Sequence, residues 1–131
     1  MQADTLLPDF ADALDQFELA LGMPAENDVV RAGCIQYFEF TFELAWKTIK
    51  TVLESQGVTD THTPRTCLKH AFAMGWIDDE EIWLAMLSAR NRMSHTYNAR
   101  QALVIYDSLK GFSPVLRRLH PALKKALDQN T

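Results

Sequence analysis

The sequence predicts an all-α fold, an antiparallel up-and-down bundle of four or five helices in a single domain spanning residues 1–131. Three observations predict it. Apolar residues recur every three or four positions along most of the chain, and no segment shows the alternation of a strand. Glycine, proline and capping residues divide the chain at helical intervals. A chain of 131 residues, 47 % of them hydrophobic, can bury a core of its own.

The first predicted helix carries one narrow apolar stripe, formed by Leu7, Phe10, Leu14, Phe17 and Leu21. Spacings of three and four residues place these side chains on one helical face. We expect Asp4 or Thr5 to cap the start of this helix, and Gly22 followed by Pro24 to end it.

The second predicted helix begins near Asn27, runs to about Gly57 and is apolar on more than one face. Its apolar rows are Val30, Cys34, Tyr37, Thr41, Leu44, Thr48 and Val52, and Ile35, Phe38, Phe42, Ala45, Trp46, Ile49 and Leu53. Its solvated polar stripe is Gln36, Glu39, Glu43, Lys47, Lys50 and Glu54, in which Glu43 and Lys47 have the i,i+4 spacing of a supporting pair. Because the polar stripe is narrow, we expect this helix to be central and to contact a partner chain in a homodimer.

Two further helices are predicted in the middle of the chain. Thr63-Pro64 is typical of a cap followed by the first residue of a short helix, which runs to Gly75. The acidic run 78–81 opens the fourth helix, where negative charge is favoured by the helix dipole. On this helix, a row formed by Ile82, Met86, Ala89 and Met93 is assigned to the core, whereas Trp83 and Leu87 form a separate apolar surface.

The last predicted helix is capped by Asn98, with Gln101 in the third position of a capping box. Gly111 and Ser113-Pro114 are expected to interrupt this helix, and Pro121 to kink its continuation.

Charge and cysteine content narrow the possible function classes. A formal net charge of −4 argues against a general DNA-coating role, which needs a broad basic surface. Cys34 and Cys67 lack metal-ligand spacing and are interpreted as reduced thiols of a cytoplasmic protein. The sequence begins without the basic and apolar runs of a secretion signal, and no uncharged segment is long enough to span a membrane.

A cluster of polar residues is predicted at the end of the fourth helix, at Arg90, Asn91, Ser94, His95 and Tyr97. Asn91 and His95 share a helical face, as do Arg90 and Ser94. Histidine can transfer a proton near neutral pH, and arginine can bind a phosphate through two hydrogen bonds. These groups suit phosphodiester chemistry without a metal or another cofactor. Since one chain supplies one such histidine, a second copy related by a two-fold axis would double the set.

An arginine and a histidine five residues apart also occur by chance, and spacing alone favours a capped, solvated helix end by roughly three to one. The remaining histidines, His62, His70 and His120, are assigned no role.

Two blocks of the sequence carry a family resemblance. The segment from Arg90 to Asn98, R-N-R-M-S-H-T-Y-N, resembles the R-N-x-x-S-H-T-Y-N signature of the nucleotidyltransferase substrate-binding protein family of the HEPN superfamily. The segment from Gln36 to Lys47, Q-Y-F-E-F-T-F-E-L-A-W-K, is similar to the family's Q-x-F-E-F-T-x-E-L-A-W-K block. The resemblance extends over nearly the whole chain, and it implies a helical homodimer whose partner is a minimal nucleotidyltransferase encoded nearby.

The resemblance implies two functions that share one surface. In the first, the chain is the substrate-binding subunit of a two-component nucleotidyltransferase and binds a nucleotide. In the second, it is a ribonuclease toxin in which Arg90 and His95 cleave RNA. The supporting residues are Asn91, Ser94 and Arg92, of which Arg92 contacts the phosphate. The partner then silences the toxin by transferring AMP to Tyr97. A third alternative is a purely structural helical dimerisation module without catalysis.

Overall fold

The structure is a computed structural model that describes the backbone of residues 2–95 and 98–129 and the side chains of residues 5–93 and 98–129. Five helices and no strand lie in this part of the chain, which confirms the all-α fold. Their bounds are α1 Gln2–Leu21, α2 Asp28–Ser55, α3 Pro64–Ala73, α4 Glu80–His95 and α5 Ala99–Gln129.

Helix α1 packs its predicted apolar stripe against α2 and α5. Leu7, Phe10, Leu14 and Phe17 are buried, while Leu21 is half-buried. The expected cap at Asp4 or Thr5 is wrong, because α1 already begins at Gln2. Gln2 and Ala3 are good helix formers and extend the helix ahead of the expected cap.

Helix α2 is the central element, in contact with every other helix. Its start is capped by Asn27, whose Oδ1 accepts a hydrogen bond from the backbone N–H of Val30 at 3.0 Å. Phe38 and Phe42 are fully buried and contact each other at 6.1 Å between ring centroids. Just past the end of α2, Gly57 adopts a φ of +89°, a backbone conformation that favours glycine.

Helix α3 begins at the predicted cap, and α4 begins within the acidic run that was expected to open it. Thr63 Oγ1 accepts from the N–H of Thr66 at 3.1 Å, and Asp79 Oδ1 accepts from the N–H of Ile82 at 3.2 Å. The separate apolar surface expected at Trp83 and Leu87 is wrong. Trp83 is 1 % exposed, packs at 6.3 Å from Phe42 and is joined in the core by Leu87, which is 6 % exposed. Removing a large aromatic side chain from water is favourable, and α2 provides the surface that covers it.

Helix α5 is capped by Asn98, whose Oδ1 accepts from the N–H of Gln101 at 2.8 Å. The capping box is only half formed, because Gln101 Oε1 is buried without a hydrogen-bond partner in the described part of the chain. The expected interruption at Gly111 and Ser113-Pro114 is wrong, and the helix also continues past Pro121 to Gln129. Its buried stripe explains the continuity, and its larger members are Ile105, Leu109, Phe112, Leu116, Leu119 and Leu123.

Direct contacts set the orientation of the outer helices. Arg117 of α5 pairs with Asp15 and Glu18 of α1, and His120 lies 6.2 Å from Phe10 between ring centroids. The residue later in α5 contacts the residue earlier in α1, so these two helices are antiparallel. Across the described residues, no helix has the length and apolar character needed to cross a bilayer.

Candidate functional site

The predicted site residues occupy the last two turns of α4 and the segment that follows. The structure describes the side chains of Arg90, Asn91 and Arg92. Ser94 and His95 belong to the last turn of α4, but their side chains lie outside the described part of the structure. Tyr97 also lies outside the described residues.

Arg90 is held by a carboxylate from another helix. Its Nε donates to Oε2 of Glu43 at 2.8 Å, and its Nη2 donates to Oε1 of the same residue at 3.2 Å. The two side chains are 29 % and 31 % exposed, respectively, so the pair is largely shielded from solvent. Two parallel N–H···O bonds fix the plane of a guanidinium group as well as its position. The motif arginine therefore has a defined orientation.

Two neighbours extend this pair. The indole Nε1 of the buried Trp46 donates to Oε1 of Glu43 at 3.1 Å. On the opposite side, Nη1 of Arg90 donates to Oδ1 of Asn91 at 3.0 Å. The four side chains form a hydrogen-bonded series that runs from α2 to α4, which we call the Glu43–Arg90 network. Asn91 is exposed and ends the network on the solvent side, and the following residue, Arg92, is also exposed.

The assignment of Glu43 to a solvated stripe paired with Lys47 is wrong, because Glu43 binds Arg90 and Trp46. Spacing within one helix does not reveal a partner that is 47 positions away. The block Glu43-Leu44-Ala45-Trp46 contained a local signal, since glutamate and tryptophan three residues apart lie on adjoining turns of one face.

Glu39 lies one turn before Glu43 and is half-buried rather than solvated. Burial is the largest cause that raises the pKa of Glu39 above its ordinary value of 4.5. The negative charge of Glu43 raises this pKa further, and the positive charge of Arg90 lowers it. The electrostatic environment at the middle of α2 therefore combines two carboxylates with one fixed guanidinium group.

A cleft of about 600 Å³ lies beside the network, between α2, the end of α4 and the start of α5. Ile35, Met93 and Leu103 provide apolar lining, and Arg31 and Arg100 bring two positive charges. Arg31 is anchored by Asp28 Oδ1 at 2.9 Å, whereas Arg100 is exposed. Apolar lining combined with a few polar groups is typical of small-molecule sites.

Among the side chains of residues 5–93 and 98–129, no group of three His, Cys, Asp or Glu residues is arranged to hold a metal ion. The described chemistry of the site is that of an oriented arginine, an amide and nearby carboxylates. Arg90 is the oriented donor of this set, since its guanidinium group is held by Glu43 and contacts Asn91.

Comparison with known proteins places this chain in a family. Residues 6–125 match the model of the family described as nucleotidyltransferase substrate binding protein like. The chain belongs to this family, which confirms the resemblance seen in the two sequence blocks.

Individual relatives agree with this assignment. The chain is 35 % identical over 90 residues to a Haemophilus influenzae protein named probable ribonuclease HepT. The match covers 66 % of this chain and 62 % of that relative, so this chain spans less than two thirds of the relative's length.

Two solved structures share the fold. A protein from Thermus thermophilus has a TM-score of 0.78 at 26 % identity, with coverage of 87 % of this chain and 98 % of that protein. A Haemophilus influenzae protein, described as showing the fold of a substrate-binding domain of a nucleotidyltransferase, has a TM-score of 0.67 at 27 % identity. That match covers 93 % of this chain and 96 % of the other.

Proposed function

We propose that this protein is a HEPN-type ribonuclease whose activity is controlled by a nucleotidyltransferase partner. The observation that carries the proposal is the orientation of Arg90 by Glu43 and Asn91 in the last two turns of α4. The name of the Haemophilus influenzae relative, probable ribonuclease HepT, supports the same activity.

The proposed reaction assigns a role to each motif residue. The 2′-oxygen of a ribose attacks the adjacent phosphorus, and the bond from phosphorus to the 5′-oxygen of the next nucleotide breaks. Arg90 binds the phosphate and stabilises the charge that develops on its oxygens. His95 transfers a proton at the attacking or the leaving oxygen. Asn91, Arg92 and Ser94 support the phosphate, and a second copy of the chain supplies the complementary proton-transfer group.

Cleavage of RNA by purified protein tests the proposal directly. We expect wild-type protein to cut single-stranded RNA in the presence of EDTA, and His95→Ala to lose the activity by about 100-fold or more. His62→Ala is the matched control, because His62 is an exposed histidine on the loop before α3. Intact RNA after incubation with excess wild-type protein would refute the ribonuclease activity.

The proposed control step transfers AMP from ATP to the phenolic oxygen of Tyr97, with release of pyrophosphate. A minimal nucleotidyltransferase encoded nearby would supply this activity. Co-expression should add the mass of AMP to the Tyr97 peptide and suppress RNA cleavage. Tyr97→Phe should remain unmodified and active in the same cells. Modification of the half-buried Tyr106 instead would contradict the assignment of the acceptor.

A second candidate function is the substrate-binding subunit of a nucleotidyltransferase, which the family description and the cleft both favour. The apolar lining suits a purine base, and Arg100 at the edge suits a phosphate. Calorimetric titration with AMP should then show binding that Arg100→Ala weakens. Arg118→Ala, on an exposed arginine far along α5, is the matched control. If neither RNA cleavage nor nucleotide binding is found, the structural dimerisation module is the remaining function.

A further inference from the structure

We propose that Glu43 is a positioning residue of the Arg90 site, so that the site is built by α2 and α4 together rather than by the α4 motif alone. The reaction in this inference, RNA cleavage, rests on the proposed function. The role of Glu43 rests on its described bonds to Arg90. The Glu43 carboxylate does not contact the scissile phosphate. It fixes the guanidinium group of Arg90, which binds that phosphate in the proposed reaction.

The first step of the argument is the direction of the two bonds. Glu43 occupies the Nε and Nη2 side of the Arg90 guanidinium group. The third donor, Nη1, contacts Oδ1 of Asn91, a residue that is exposed on α4. A phosphate that approaches from solvent therefore meets a guanidinium group whose plane has already been set by α2.

The second step is that Glu43 is itself held. Trp46 is 8 % exposed, and its Nε1 donates to the same Oε1 atom that accepts from Nη2 of Arg90. A long arginine side chain otherwise loses rotamer entropy each time it binds a ligand. Because the entropy of Arg90 is lost on folding, binding of the phosphate is less costly and the transition state is met by a preorganised donor.

A purely structural interaction between helices is the competing explanation, and the chain contains a matched example of one. Nε of Arg117 donates to Oε2 of Glu18 at 3.0 Å, and its Nη2 donates to Oε1 at 2.7 Å. This pair joins α5 to α1 with the same bidentate geometry and similar exposure, 37 % and 41 %. Glu18→Gln therefore removes an equivalent bond without touching the Arg90 site.

Glu43→Gln is the decisive variant, because it keeps the shape of the side chain but presents an N–H₂ group to one of the two arginine donors. We expect kcat for RNA cleavage to fall by about 10- to 100-fold, with a smaller change in KM. Glu18→Gln should leave both constants unchanged, while both variants lower the melting temperature by similar amounts. Equal kcat values for Glu43→Gln and wild type would overturn the inference.

A double-mutant cycle distinguishes action through Arg90 from a general loss of packing. In an Arg90→Lys background, the single ammonium group cannot make the paired bonds. Glu43→Gln should then reduce kcat by less than about 3-fold, since the interaction it removes is already absent. An undiminished effect of Glu43→Gln in this background would show that Glu43 acts elsewhere and would overturn the inference.

An activity-independent readout separates failure of the inference from failure of the proposed function. The Nε–H resonance of Arg90 in an NMR spectrum should be protected from exchange in wild type and in Glu18→Gln, but lost in Glu43→Gln. If wild type does not cleave RNA and the resonance behaves in this way, the ribonuclease function fails and the positioning role stands. If the resonance persists in Glu43→Gln, the positioning role fails even when RNA is cleaved.

Discussion

Cys67 shows how burial changes the chemistry of a single residue. Its side chain is fully buried on α3, and its Sγ donates to the carbonyl oxygen of Thr61 at 3.5 Å. Burial is the largest cause that raises the pKa of this thiol from 9.0 to about 11. Nearby carboxylates of Glu54 and Asp60 raise this pKa further, and the ammonium group of Lys50 lowers it. The thiol is therefore protonated and unreactive at neutral pH.

This pKa shift predicts a loss of stability at alkaline pH. The thiol ionises near pH 9.0 in the unfolded chain but only near pH 11 in the folded one. The folded state binds more protons in this window, so the free energy of unfolding should fall as pH rises through it, by up to about 2–3 kcal/mol. Urea denaturation of wild type and Cys67→Ala at pH 8.5 and 10.5 measures the effect. The two proteins differ only at residue 67, so identical pH dependence of their stability would contradict the prediction.

The site residues show which contacts were accessible from sequence. Arg90 and His95 stand out through their positions in one short motif, and the family match supports that motif. The bond from Arg90 to Glu43 could not be derived from spacing, because it joins two helices whose relative rotation depends on the whole core. The same limit applies to Trp83, whose burial depends on where Phe42 lies.

At the scale of an element, helix α5 shows that burial against other helices outweighs helix-breaking residues in the sequence. Each proline inside a helix removes one backbone hydrogen bond and costs about 3 kcal/mol. Burial of a large apolar side chain contributes about 1.5–3 kcal/mol, and Leu109, Leu116, Leu119 and Leu123 are all at most 1 % exposed. The buried stripe therefore keeps α5 continuous through Pro114 and Pro121. The caps at Thr63 and Asn98 were predicted correctly because capping is a local interaction between neighbouring residues, whereas the cap expected at Asp4 or Thr5 was wrong.

Replacement of Pro114 should stabilise the protein. Pro114 is exposed on α5, and alanine at this position restores a donor for the helical hydrogen-bond series. We expect Pro114→Ala to raise the free energy of unfolding by about 1–2 kcal/mol, less than the full cost of proline because the unfolded chain gains entropy. Pro64→Ala is the control, since Pro64 occupies the first turn of α3, where proline is tolerated. Equal denaturation midpoints for Pro114→Ala and wild type would contradict the prediction.

At the scale of the molecule, the described residues include an apolar stripe on α2 that the helices leave partly uncovered. The stripe on α2 consists of Val29, Gly33, Tyr37, Phe40 and Leu44, which follow one another at helical spacing. Phe40 is 51 % exposed, and its ring lies 6.5 Å from that of Tyr37. An exposed aromatic pair on the central helix is typical of a contact between subunits. A two-fold contact here would also provide two copies of Arg90 and His95, as the proposed ribonuclease reaction requires.

We therefore predict a homodimer formed through the α2 stripe. Light scattering coupled to gel filtration should give twice the chain mass of 14.9 kDa at micromolar concentration. Phe40→Glu places a charge in the contact and should give a monomer, because an unpaired charge in an apolar interface is costly. Phe72→Glu is the matched control, since Phe72 is 45 % exposed on α3 and lies outside the stripe. A monomer mass for wild type would refute the dimer, and a dimer mass for Phe40→Glu would show that the subunits meet at another surface.

If the dimer forms as predicted, Phe40→Glu should also lose RNA cleavage while retaining the protected Arg90 resonance, because Glu43 and Arg90 belong to the same chain.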